Sequence, residues 1–169
     1  EYIVTIDTTT SDLLVAGLNC ASQPQSTCSH LSQLYNYKDS NATIEPYSLN
    51  NCFSSIELDN KKYCGALRTY TDGTKRTGVY VTDEVRISGL NMHSSFIAYT
   101  EETKGSWNLV RDGSWGLGQT KAEKKRPSLT DPLSSLFEVG LKKSFSICTG
   151  TTGGVFVVGE PSQELYTGD

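Results

Sequence analysis

No apolar run in this sequence approaches the ~20 residues that a membrane-crossing helix needs. Basic character is scarce as well: 15 Lys and Arg stand against 19 Asp and Glu, for a net charge of −4 and a pI near 5.2. Nucleic acid is therefore excluded as a main partner, because phosphate binding requires a basic face. The one basic cluster, "KAEKKR" at 121–126, lacks interleaved aromatics and reads as a solvated loop. Histidine is nearly absent. His30 and His93 sit at no ligand spacing from any cysteine, and no C-x-x-C pair occurs, so no metal site is expected. The glycine-rich "GTTGG" at 150–154 precedes an apolar strand, and no Lys-Ser or Lys-Thr follows it. A phosphate cradle is excluded, and nothing else in the chain calls for a cofactor.

What is present is a chain of 169 residues, 36% hydrophobic and 20% charged. That suits one domain with a sizeable core, and neither a repeat nor a linker divides it. Five cysteines stand out: Cys20 near Cys28, Cys52 near Cys64, and Cys148 apart. Local bridges Cys20–Cys28 and Cys52–Cys64 are the economical reading, each closing a loop of about ten residues and stabilising by roughly 2.5–3 kcal/mol. Cys148 is then either a buried free thiol or half of a bridge to a partner or to a segment outside this sequence. The sequon "NAT" at Asn41 agrees with an oxidising compartment, secreted or secretory and lysosomal-vacuolar. The chain starts on Glu1 and runs almost at once into a strand, which reads as a processed or trimmed chain.

The pattern is mostly β. "YIVTI", "DLLVAG", "YCGALRTY", "GVYVTDEVRI", "SFIAYT", "KSFSIC" and "GGVFVVG" have the short apolar or alternating pattern of strands. "TDGTKRT", with Asp72-Gly73 at its tip, predicts a β-hairpin. "DPLSSLFEVGLKK" predicts the one helix, with Pro132 after a capping Asp131 and its lysines in the last turn. Residues 18–63 read as long and irregular, tied down by the two disulfides. Within this pattern "YIVTIDTTTSDLLVAG" delivers a lone acid, Asp7, to the end of a strand and surrounds it with hydroxyls. A hydroxyl-rich turn would use the same residues.

Taken together, the segments resemble the N-terminal lobe of a pepsin-like aspartic peptidase over nearly the whole chain, residues 1–169 read as a single lobe. "TIDTTTSDLLV" resembles the strand–Asp-Thr-Gly-Ser-Ser–strand segment that carries the first catalytic aspartate. "CGALRTYTDGTKRTGVYVTDEVRI" is similar to the flap hairpin, in the "YxDGS" form of plant-like members, with Asp83 opening the strand after it. "DGSWGLG" at 112–118 resembles the psi-loop segment behind the catalytic loop, and "LFEVGLKKSFSICTGTTGGVFVVGEPSQELYTGD" resembles the helix, strand and hairpin that close the lobe.

The resemblance implies a double-psi-type β-barrel lobe with a short helix, and aspartic endopeptidase activity. It implies Asp7 as one member of a carboxylate dyad, Thr10 as its hydrogen-bond partner, and Thr8 as the hydroxyl that braces two catalytic loops. Tyr70, Thr71, Asp72 and Gly73 take the flap, and Asp112, Gly113 and Gly116 the psi-loop. No second Asp-Thr/Ser-Gly occurs in the sequence. The expected partners are thus a peptide or protein substrate and a second lobe carrying the other aspartate. That lobe is expected from a cleaved precursor half or an identical subunit, with Cys148 as an inter-lobe link. Two departures are specific: Thr9 stands where the family has glycine, and Leu14 where it often has tryptophan. Thr9 motivates the alternative of an inactive pepsin-like protein used as a binding or inhibitor module.

Overall fold

A computed structural model of the chain describes residues 1–22, 28, 31, 33–103, 112–118, 127 and 129–161. It is mostly β, in two compact units, residues 1–132 and 133–169. The basic cluster at 121–126 and His30 lie outside the described residues.

The first unit is built on an eight-stranded sheet. Its strands are β1 (Val4–Asp7), β2 (Leu13–Ala16), β3 (Thr43–Ile44), β4 (Ser54–Leu58), β5 (Lys61–Thr69), β6 (Lys75–Ile87), β7 (Leu90–Thr103) and β8 (Gly113–Gly116). The order across the sheet is β1-β8-β2-β7-β6-β5-β4, with β3 beside β6. Strand β8 lies between β1 and β2, parallel to one and antiparallel to the other. Residues 12–16, buried throughout, read as a fully covered strand rather than an alternating one.

Turn chemistry sets the three antiparallel hairpins. Asp59-Asn60 joins β4 to β5 and Ser88-Gly89 joins β6 to β7, each residue at positive φ as a two-residue primed turn requires. The hairpin predicted around Asp72-Gly73 is β5–β6, paired from Gly65↔Val79 to Thr69↔Lys75. Its second arm runs on as one continuous strand through Asp83, so Asp83 is internal to β6 rather than the start of a new strand. The stretch expected to be irregular contains β3 and β4. Both disulfides form, Cys20–Cys28 and Cys52–Cys64. All four sulfurs belong to the core with Leu14, Ala16, Ala66, Tyr80, Ile97 and Tyr99.

The second unit holds an antiparallel hairpin, β9 (Phe145–Gly150) with β10 (Gly153–Val158). Helix α1 (Pro132–Glu138) is shorter than its sequence pattern suggests. Leu141 N–H reaches back to the Leu136 carbonyl while Gly140 takes φ 102°, the left-handed stop that ends helices at glycine. Lys142 and Lys143 therefore lie beyond the last turn. Among the described residues no helix is long and apolar enough to cross a membrane.

Candidate active site

Asp7 is the last residue of β1, and the chain turns immediately after it. Two residues on, the Thr9 N–H donates to Asp7 Oδ1 at 2.8 Å, and the Thr9 hydroxyl donates to the same oxygen at 2.6 Å. The Thr10 hydroxyl donates to Oδ2 at 3.2 Å. The carboxylate is half-buried, Thr9 is exposed, and Thr8 is exposed. A carboxylate offers about four lone-pair sites. Among the described residues, Oδ1 has both of its sites filled by Thr9, and Oδ2 accepts from Thr10 with one further site available.

Strand β8 holds this loop from behind. Asp7 pairs with Gly116 in register, Leu117 N–H donates to the Asp7 carbonyl, and Gly118 N–H to that of Thr10. A Cβ on Gly116 would lie 2.5 Å from the Thr10 carbonyl oxygen and 2.7 Å from the Asp12 nitrogen, and one on Gly113 would fall on the Leu14 carbonyl. Only glycine lets two backbones approach this closely, which is the physical content of the "DGSWGLG" pattern. Asp112 is buried and accepts the Ile3 N–H at 2.9 Å, so its carboxylate fastens the start of β1.

The hairpin that the sequence matches to a flap is β5–β6. Tyr70 N–H donates to the Thr74 carbonyl and Gly73 N–H to the Tyr70 carbonyl, with Gly73 at φ 87°. Asp72 caps the turn by accepting from Thr74 N–H at 2.9 Å and from its hydroxyl at 2.7 Å; Thr71 is exposed. The Tyr70 hydroxyl reaches 3.4 Å from Ser114 Oγ on β8. The flap tip is thereby placed over the strand that flanks Asp7.

Charged groups that no motif announces lie beneath it. Arg68 on β5 holds buried Asp12 through Nε at 2.8 Å and through Nη2. Arg76 on β6 pairs with Glu102 on β7 at 2.8 Å, their side chains only 11% and 9% exposed. The Arg76 guanidinium lies 5.3 Å from the Tyr70 ring centre and 5.0 Å from that of Tyr99. Burial alone would lower the Arg76 pKa, but the neighbouring Tyr70 and Tyr99 and the bond to Glu102 outweigh it and raise it. Burial pushes the Tyr99 phenol well up, and its hydroxyl has no hydrogen-bond partner among the described residues. Strand phase was the available signal, since Glu102 follows Ala98 and Thr100 at alternate positions of β7.

The remaining predicted residues lie elsewhere. Asn41 is exposed just before β3. Cys148 is exposed on β9 in the second unit and outside both disulfides. Among the described residues no group of three or more His, Cys, Asp or Glu side chains could hold a metal ion.

No curated protein compared with the chain matches it. The sequence model of the eukaryotic aspartyl protease family matches residues 1–169, the whole of the sequence given. A β lobe with a hydroxyl-lined aspartate at a strand end, backed by a glycine-rich strand and covered by a hairpin, accords with that match: the chain belongs to the eukaryotic aspartyl protease family.

Proposed function

We propose that this chain is the Asp7-bearing lobe of an aspartic endopeptidase and works with a second lobe that supplies another carboxylate. The observation that carries the proposal is the Asp7 carboxylate at a strand end, held among the described residues by two donors from Thr9 on Oδ1 and one from Thr10 on Oδ2. Two carboxylates facing one water cannot both ionise easily, so they share a proton and their pKa values separate. The ionised member takes a proton from the attacking water, and the protonated member polarises the scissile carbonyl and then protonates the leaving amine. Tyr70 closes over the substrate with Gly73 permitting the turn, and Thr8 faces the partner lobe. Strand β1 ends the sheet, and Ile6 on it and Ile3 just before it are exposed, which suits an added surface on the Asp7 side. Cys148 is the thiol available for a covalent link to that lobe. The two disulfides and the exposed Asn41 sequon fit a secreted or lysosomal glycoprotein released from a precursor.

The test is hydrolysis of an unstructured protein at acidic pH by the intact protein that carries this chain. Pepstatin and Asp7→Asn each abolish cleavage if the assignment holds; cleavage that survives both sinks it.

One observation favours a second reading, a pepsin-like fold kept for binding. Thr9 fills both acceptor sites of Asp7 Oδ1, where a family glycine would place no hydroxyl. That reading requires the wild-type protein to bind peptides or proteins without cutting them, and turnover by the wild type excludes it.

A further inference from the structure

The contacts of Arg76 differ sharply in strength from one side to the other. On the side of β7 it makes a buried ion pair with Glu102 at 2.8 Å and stacks over Tyr99 at 5.0 Å. On the side of the flap its Nη1 lies 3.5 Å from the Tyr70 hydroxyl, its guanidinium 5.3 Å from the Tyr70 ring, and Ser114 Oγ 3.4 Å away. The first set is short and desolvated, so it fixes the cation to the body of the sheet. The second is long and involves a residue at the edge of the flap turn, so it is the set that yields when the hairpin lifts. We propose that Arg76, held by its counter-ion Glu102, is the positioning residue of the flap: a fixed cation on which the Tyr70 ring seats, so that the flap settles over β8 beside Asp7. The proposal rests on the peptidase reading for its consequence in catalysis but not for the latch itself.

Geometry supports a latch rather than a purely structural tie. Lys75 and Thr69, the last paired residues of the hairpin, are both exposed, and the turn beyond them is held by few backbone bonds. Tyr70 meets two groups on the body of the sheet, the Arg76 guanidinium under its ring at 5.3 Å and Ser114 Oγ on β8 at 3.4 Å from its hydroxyl, and of these only the cation is itself anchored by a buried ion pair. A cation over an aromatic ring contributes enough to change the closed population by roughly tenfold.

The experiment is amide hydrogen exchange at residues 70–74 in the intact protein, joined to peptide kinetics. Arg76→Gln alone takes from buried Glu102 its ion-pair partner at 2.8 Å, so the variant used is the neutral pair Arg76→Gln with Glu102→Gln, whose two amides can hydrogen-bond to each other. We expect flap-tip exchange to rise about tenfold while β8 stays protected. We expect KM to rise by a similar factor with kcat little changed, Arg76→Lys to restore part of the loss, and the paired change to have no effect in a Tyr70→Ala background. Unchanged exchange at 70–74, or effects that add to those of Tyr70→Ala, overturn the latch. A wild-type protein that shows the latch in exchange yet cleaves no peptide leaves the latch standing and defeats the peptidase reading instead.

Discussion

At the scale of single residues, the question is what Thr9 does to Asp7. Its N–H is a donor that any residue would supply, so the hydroxyl is the specific addition. A hydrogen bond to a charged group contributes about 1.5–3 kcal/mol when it is kept, part of which a replacing water returns. For a water to seat on Oδ1, the Thr9 side chain must rotate away, and its β-branch allows few rotamers in which to do so. On the proposed function, we therefore expect Thr9→Val, which keeps the shape and removes the hydroxyl, to raise kcat about tenfold. Thr9→Gly, which also removes the branch, should raise it at least as much, and Thr9→Ser should stay near wild type. Steady-state kinetics on one peptide substrate checks all three. Equal or lower kcat for Thr9→Val would show that the hydroxyl supports Asp7 rather than competes for it. Asp7 and its Thr10 donor were legible in the sequence because they lie three positions apart, whereas the sequence marks Thr9 only as a departure from a family glycine and not as the source of two bonds to Asp7. Which oxygen each donor would take was not legible, since that depends on how the loop turns against β8.

At the scale of elements, the closest fit in the molecule is between the Asp7 loop and β8. Gly116 has the Thr10 carbonyl and the Asp12 nitrogen where its Cβ would stand, and both are backbone atoms that cannot swing aside. Gly116→Ala is expected to push the loop off β8, to cost about 1–3 kcal/mol by overpacking, and, on the proposed function, to lower kcat more than tenfold because Asp7 moves with the loop. Denaturant unfolding and peptide kinetics check the two halves, and an Ala variant of wild-type stability would refute the close approach. The hairpins were readable from sequence where turn residues encode them, as at Asp72-Gly73. The buried ion pairs were not, because Asp12 and Arg68 are 56 positions apart and Arg76 and Glu102 are 26 apart. Such partners are set by strand register and order, which no local pattern carries. The helix was overread for a related reason: its apolar and basic spacing continues to Lys143, but Gly140 ends it earlier.

For the molecule as a whole, two phenols, Tyr99 fully buried and Tyr35 half-buried, bear on how it responds to alkali. Tyr99 is fully buried beside Glu102, and Tyr35 donates to the buried Asp83 carboxylate at 2.8 Å. Burial raises both pKa values well above the ordinary 10.0, and nearby carboxylate charge adds to the shift. A folded state that keeps these protons longer than the unfolded chain does is stabilised by them fully below pH 10.0, and the stabilisation is lost as pH rises through the raised folded values. The core that holds Tyr99 is closed by two disulfides over short loops, each contributing about 3 kcal/mol by restricting the unfolded chain, and that contribution does not change with pH while the bridges stay oxidised. The loss above pH 10 should therefore trace to groups whose folded pKa is raised, Tyr35 and Tyr99 foremost, with Tyr2, Tyr37 and the exposed Lys38 paired to Asp59 losing their contributions in the same range. We expect the midpoint of urea unfolding to stay flat between neutral pH and about pH 9 and to fall steeply above the ordinary tyrosine value. Tyr99→Phe removes a phenol that takes no hydrogen bond among the described residues, so it should cost little at neutral pH and flatten the alkaline fall. Tyr35→Phe should also flatten it but cost about 1.5–3 kcal/mol at neutral pH, because it strips a donor from buried Asp83. An alkaline slope identical in wild type and Tyr99→Phe would mean that Tyr99 ionises as readily in the folded protein as in the unfolded chain, against the burial that surrounds it.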